Sequence, residues 1–216
     1  MTRRNTPRIS FIGFGEAGQA IASGLRGVGI ERIVAWDILF PASAGTRLKV
    51  AGEAMGVRIA SSAGDAVRET DMIISAVTAA SSVDAARSVA PHLSGRPYYL
   101  DINSVSPGRK QETAKLLGEG ARYVDVAVVA PIHPDRHRTP LLISGPHAEE
   151  ISSLLRELEM QLTVVSPETG SAAAIKMIRS VMIKGIEALT LECFLAASRA
   201  GAVSYTHLTL PTKRIV

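Results

Sequence analysis

At 216 residues the chain has material for one large domain, or one domain and part of another, with ample residues for a buried core. Hydrophobic residues at 46% and charged residues at 20% describe a globular chain and exclude a disordered one. The net charge of +4 comes from scattered Arg and Lys with no basic block and no aromatic interleaving, which argues against a nucleic-acid partner, and no uncharged apolar run reaches the length of a membrane span.

Residues 1–7 are basic and lead into an apolar run of strand length, 8–12, too short for a secretory segment. That run enters Gly13-Phe14-Gly15-Glu16-Ala17-Gly18, and an amphipathic helical segment follows from 19 to about 28. Strand, G-x-G-x-x-G turn and helix together predict a dinucleotide cradle. Gly13 permits the tight turn, Gly15 admits a pyrophosphate to the backbone, and Gly18 lets the helix pack on the strand. The helix start then offers N–H donors to the phosphates. A second apolar run over 32–37 ends in Asp37, 19 residues beyond Gly18, close to the spacing of about 20 expected for a carboxylate that accepts from the ribose 2′-OH. With Ile38 and Leu39 next in the chain and no arginine there, the expected cofactor is NAD, with NADP disfavoured.

Helix is expected over 42–55, a short strand over 57–60, helix over 62–69 and a buried strand over 72–77, where Val77 and Thr78 reach the cofactor. The alternation continues with helix 80–90, strand 98–102, a helix from Pro107 to 117, strands 123–129 and 140–144, helix 147–160 and strand 162–165. This order predicts an α/β fold, a doubly wound and mostly parallel sheet covered on both faces. The loop 131–138 holds His133, Asp135 and His137, but its prolines and irregular spacing argue against a metal site. Arg136 and Arg138 in that loop either guard a mouth for anionic substrates or are simply solvated.

From 168 to 200 a helix of roughly 30 residues, about 45 Å long, is expected. Its apolar residues occupy several faces and call for neighbours on several sides, Ile178, Met182, Ile186, Leu189 and Phe194 among them. Cys193, the single cysteine, excludes an intramolecular disulfide, fits a reducing compartment and so the cytoplasm, and is expected to be a packed core residue of this helix.

Four stretches in this order resemble the β-hydroxyacid dehydrogenases related to 3-hydroxyisobutyrate and 6-phosphogluconate dehydrogenases: residues 13–18, Ala35-Trp36-Asp37-Ile38-Leu39-Phe40, Asp101-Ile102-Asn103-Ser104-Val105-Ser106-Pro107, and the run from Lys176 to Gly185. The resemblance is strongest to a phosphogluconate-dehydrogenase-like branch with a C-terminal domain of unknown function, and it covers residues 8 to about 202. It implies oxidation of a small anionic hydroxy acid, phosphorylated or not, by a homodimer or higher assembly, with Lys176 as general acid/base. It also implies that Asn103 touches the nicotinamide and that Ser104, Val129, Ala130, Arg179 and Ser180 lie at the substrate. Chemistry nominates the same lysine: a C–OH that gives up hydride must lose a proton, and an ordinary lysine, at about 10.4, is protonated near neutrality. Burial, Arg179 one turn away and the cationic nicotinamide would each lower its pKa.

The chain departs from the wider family at two places. The D-x-P-V-S-G-G substrate loop is Asp125-Val126-Ala127-Val128-Val129-Ala130-Pro131 here, and the asparagine usually found one turn after the lysine is Ser180. An imine or semialdehyde reductase and a non-catalytic dinucleotide-binding module are therefore the alternative readings. Residues 203–216 match nothing in the family, and 203–212, read back into codons, resemble a transposase adapter used in sequencing libraries. Without Lys213 and Arg214 the net charge of +4 becomes +2. The expected division is a dinucleotide-binding domain over 1–166, an interdomain helix over 167–202 that opens a truncated helical domain, and a non-native tail; such a fragment is expected to bind NAD but not to turn over.

Overall fold

The structure is a computed structural model that describes residues 6–202. The tail expected to be non-native, 203–216, lies outside the described residues. The chain divides into two units, Met1–Lys176 and Met177–Val216.

The first unit begins with β1 (Ile9–Ile12), α1 (Glu16–Gly27), β2 (Ile33–Trp36), α2 (Thr46–Ala54), β3 (Arg58–Ile59), α3 (Ala63–Val67) and β4 (Met72–Ser75). It continues through α4 (Ser82–Val89), β5 (Tyr98–Asp101), α5 (Pro107–Leu117), β6 (Arg122–Val128), β7 (Leu141–Ser144), α6 (Ala148–Glu157) and β8 (Leu162–Ser166) to the start of α7 (Ser171–Arg199). The eight strands form one sheet in the order β3-β2-β1-β4-β5-β6-β7-β8. All neighbours run parallel except β6 and β7, whose connection carries one short 3-10 turn and no crossover helix. The expected helix over 42–55 is shorter, because a separate 3-10 turn at Ser43–Gly45 precedes α2.

The unbroken apolar runs follow from burial on both faces. Along β4, Met72 and Ile74 join one core with Phe11, Ile21, Leu25 and Ile151, while Ile73 joins a second with Ala66, Val89 and Tyr99. Alternate side chains thus leave opposite faces of the sheet, and helices cover both. The chain leaves β1 toward β2 on one side and returns to β4 on the other. This reversal opens a crevice at the strands' carboxyl ends, where open α/β sheets bind ligands.

At the opposite end, the Asp71 carboxylate accepts from the backbone N–H of Arg8 at 2.8 Å and from its guanidinium at 2.9 and 3.2 Å, tying the start of β1 to the start of β4. These bonds hold the Asp71 pKa below the ordinary 3.8. A lowered carboxylate pKa contributes stability that is complete above the ordinary value and is lost as the pH falls through the lowered one. Urea unfolding of Asp71→Asn is therefore expected to show a deficit at neutral pH that narrows on acidification.

The second unit is the rest of α7. Its residues are exposed around the helix, with Ile178 at 73%, Met182 at 69% and Leu189 at 73%. Cys193, expected in a core, is exposed too. The apolar composition that suggested packing is spread over every face of this stretch, and among the described residues its large apolar side chains are exposed. Helix α7 begins at Ser171, later than expected, because residues around Glu168 form a turn in which the Glu168 N–H donates to Ser166 Oγ at 3.0 Å.

Candidate active site

The turn after β1 is built as its glycines require. Gly13 has φ +90, and a Cβ there would lie 2.3 Å from the backbone oxygen of Ala76, so only glycine lets the turn abut the end of β4. A Cβ on Gly18 would meet the Gly13 carbonyl oxygen at 2.7 Å, whereas nothing lies within 4 Å of the corresponding position on Gly15. The turn is thus closed on the protein side and open on the outer side. Within α1 the first hydrogen bond runs from Gln19 N–H to Gly15 O at 3.0 Å. The amides of Glu16, Ala17 and Gly18 precede it and, as at any helix start, have no helical acceptor. The Phe14 side chain is fully buried, edge-on to Phe11 and Phe40, so this residue serves the site through its backbone alone.

Asp37 follows β2 and reaches that turn. Its Oδ2 accepts from Phe14 N–H at 2.7 Å and its Oδ1 from Leu39 N–H at 2.9 Å. It therefore both shapes the turn and keeps a lone pair on each oxygen for a ribose hydroxyl. An open phosphate cradle, unpaired helix-start donors and a carboxylate at the second strand's end fit a dinucleotide.

Next to the cradle lies a cavity of about 330 Å³ lined by Ala17, Val77, Asn103, Ser104, Ala130 and Lys176 among others. The residues from β5 onward assemble its polar side. Asn103 Oδ1 accepts from Val77 N–H at 2.7 Å, and its Nδ2 donates to Asp101 Oδ1 at 2.7 Å and Ser75 Oγ at 3.0 Å. Ser104 follows, exposed, and its Oγ accepts from Lys176 Nζ at 2.7 Å. Burial lowers the Lys176 pKa from its ordinary 10.5, and the nearby Lys110 charge lowers it further.

The remaining residues expected at the site are placed as follows. Val129 does not line the cavity; with the alternation of an extended segment, Val128, Ala130 and Ile132 do, while the Val129 N–H donates to Pro140 O at 3.1 Å. Thr78 is exposed, its hydroxyl on Ser81 Oγ at 3.1 Å, and Ala79 takes the lining position. Arg179 and Ser180 stand in the second unit, the first exposed and the second half-buried. Arg136 and Arg138 line a separate cavity of about 290 Å³ along α1, and Arg138 pairs with Glu159. His137 of that loop is buried against Gly24. Among the described residues no group of three His, Cys, Asp or Glu is placed to hold a metal, and no helix is long and apolar enough to cross a membrane.

Residues 8–105 match the family described as coenzyme F420-dependent NADP oxidoreductases. An uncharacterised 28.5 kDa protein from the 7S RNA 5′ region of Methanothermus fervidus is 30% identical over 196 residues, 91% of this chain and 73% of that protein. A conserved hypothetical protein from Sinorhizobium meliloti 1021 superposes with a TM-score of 0.80 at 37% identity, covering 93% of this chain and 67% of the other. A conserved protein of unknown function, described as structurally similar to 3-hydroxyacid dehydrogenases, superposes with a TM-score of 0.76 at 34% identity, covering 90% of this chain and 71% of the other. The chain belongs to the β-hydroxyacid dehydrogenase-like, NAD(P)-binding Rossmann family. The V8 variant of an imine reductase from Myxococcus stipitatus, solved with NAD+, resembles this family member at 25% identity, with a TM-score of 0.75 over 91% of this chain and 67% of that one, and the same imine reductase has been solved with NADP+.

Proposed function

We propose that this chain provides the cofactor-binding and proton-transfer machinery of an NAD(P)-dependent oxidoreductase that acts on the CH–OH group of a small anionic hydroxy acid. The observation that carries the reading is Lys176 Nζ on Ser104 Oγ at 2.7 Å, in a cavity that adjoins the glycine turn and includes Asn103. A nicotinamide bound there supplies the hydride acceptor. The chain's own residues do the rest: the residue 13–18 turn holds the phosphates, Asn103 and Ser104 orient polar groups of substrate and ring, and Lys176 takes the hydroxyl proton. A homodimer or higher assembly belongs to the same proposal, supported by the exposed apolar side chains of α7.

Alcohol oxidation needs Lys176 neutral. Its lowered pKa raises the neutral fraction at a given pH, so the rate of oxidation is expected to rise with pH through a limb below the ordinary lysine value of 10.5 and then level off. A limb at or above 10.5 in the pH profile of kcat/KM would contradict this role.

The sequence preference for NAD is retained here as a proposal. The Asp37 carboxylate beside the cradle repels a 2′-phosphate, and a preference of at least about tenfold, roughly 1.4 kcal/mol, is expected in parallel titrations with NAD and NADP. Equal affinities, or tighter NADP, would remove Asp37 from this role. The apolar wall of Val128, Ala130 and Ile132 supports the second reading, an imine or semialdehyde reductase. Assaying hydroxy-acid oxidation beside imine reduction separates the two, and binding without turnover in either would leave a dinucleotide-binding module.

A further inference from the structure

Lys110 lies in the interior and has no part in the proton transfer described above. Its side chain is 1% exposed, between Asp101 and Asp125 at 0% each. A buried ammonium is tolerated only when its protons have acceptors. Lys110 Nζ reaches the backbone oxygens of Asp101 at 2.6 Å and Val126 at 3.3 Å, with Asp101 Oδ1 at 3.2 Å and Asp125 Oδ1 at 3.3 Å.

The two carboxylates hold different parts of the site. Asp101 Oδ1 accepts from the Asn103 backbone N–H at 3.0 Å and from Asn103 Nδ2, and its Oδ2 accepts from Tyr123 OH at 2.8 Å, which fixes the loop that carries Ser104. Asp125 Oδ2 accepts from Ser144 Oγ at 2.9 Å and from Ala173 N–H at 3.1 Å, while Ser144 Oγ accepts from Ala172 N–H at 3.0 Å. These bonds fix the first turn of α7, just ahead of Lys176.

We propose that Lys110 is a positioning residue for Lys176, bridging the carboxylate that anchors the Ser104 loop to the carboxylate that anchors the first turn of α7. Without the bridge, two buried carboxylates face each other with no cation between them, and their repulsion loosens both anchors. The same cation acts on Lys176 through space, second only to burial in lowering its pKa. The groups that face Lys110 are Asp101 of β5 and Asp125 of β6, with Tyr123 on the far side of Asp101; Lys176 itself faces Ser104. The consequence for turnover rests on the proton-transfer reading of Lys176, whereas the consequence for the amine itself does not.

The test follows the amine directly. Acetylation of Lys176 by trace acetic anhydride is measured by mass spectrometry across pH in the whole chain, with Lys184 as internal reference. Lys110→Met is expected to move the Lys176 midpoint upward, since a repelling cation is gone, and Asp125→Asn to move it downward, since that cation loses a counter-charge. If Lys110→Met does not fold, Lys110→Met/Asp125→Asn balances the charges removed, and its midpoint is expected to lie above that of Asp125→Asn alone. Lys115→Met, an exposed cation on the same helix, should change nothing. The double variant is further expected to lose kcat by on the order of tenfold or more with NAD affinity kept, as for a misplaced catalytic group. A Lys176 midpoint that is unmoved, or that moves the same way in Lys110→Met and Asp125→Asn, would overturn the proposal. Full turnover in Lys176→Met would instead overturn the dehydrogenase reading and leave the labelling result intact.

Discussion

Replacing Lys176 by Met is expected to lower turnover by on the order of a hundredfold or more, the usual scale for losing a general acid/base, with NAD affinity nearly unchanged. Met keeps the length and much of the volume of the lysine stem, so the half-buried position stays filled while the amine is removed. The lysine amine donates to the exposed Ser104, and among the described residues no hydrogen bond links it to the glycine turn. A parallel fall in kcat and kcat/KM would place the loss in the transition state. A rise in KM alone would make Lys176 a binding group, and unchanged kinetics would remove it from the mechanism.

Gly13→Ala is expected to act at the opposite level, on folding and cofactor binding together. The new Cβ would meet a backbone oxygen at 2.3 Å and the Val77 Cγ1 at 2.7 Å, at φ +90. A backbone carbonyl at the end of a central strand cannot swing aside as a flexible side chain can. Backbone strain of about 1–3 kcal/mol and overpacking of about 1–3 kcal/mol together give a loss of roughly 2–6 kcal/mol, measured by urea unfolding. Gly15→Ala, where the Cβ meets nothing within 4 Å, should leave stability almost intact and weaken dinucleotide binding alone. Equal stability losses in the two variants would show that the turn does not separate packing from phosphate approach in this way.

Much of this was legible in the sequence because it is written in local patterns. The strand, G-x-G-x-x-G and helix order, and the acid at Asp37, report short-range constraints, and the alternation of apolar strands with helices reports a sheet buried on both faces. Lys176 was reachable through resemblance and through the chemistry of alcohol oxidation. Lys110 was missed, because a lysine in a helix ordinarily faces water; its burial depends on Asp101 and Asp125, brought beside it by the pairing of β5 with β6. One signal was present: Lys110 lies on the helical face of Thr113 and Leu117, which are buried. Family position puts Val129 at the substrate, whereas period-two alternation brings Val128 and Ala130 to the cavity. Cys193 was assigned to a core on composition, and apolar composition does not say whether a neighbour covers the helix.

The most direct measurement uses Trp36, the single tryptophan, at the end of β2 beside Asp37. Energy transfer from Trp36 to bound NADH reports occupancy of the glycine cradle without requiring turnover. The expected result is a saturable signal in the chain as it stands, preserved in Lys176→Met, weakened in Gly15→Ala, and displaced more readily by NAD than by NADP. No saturable transfer, or a signal indifferent to Gly15→Ala, would contradict the assignment of residues 13–18 as the dinucleotide site.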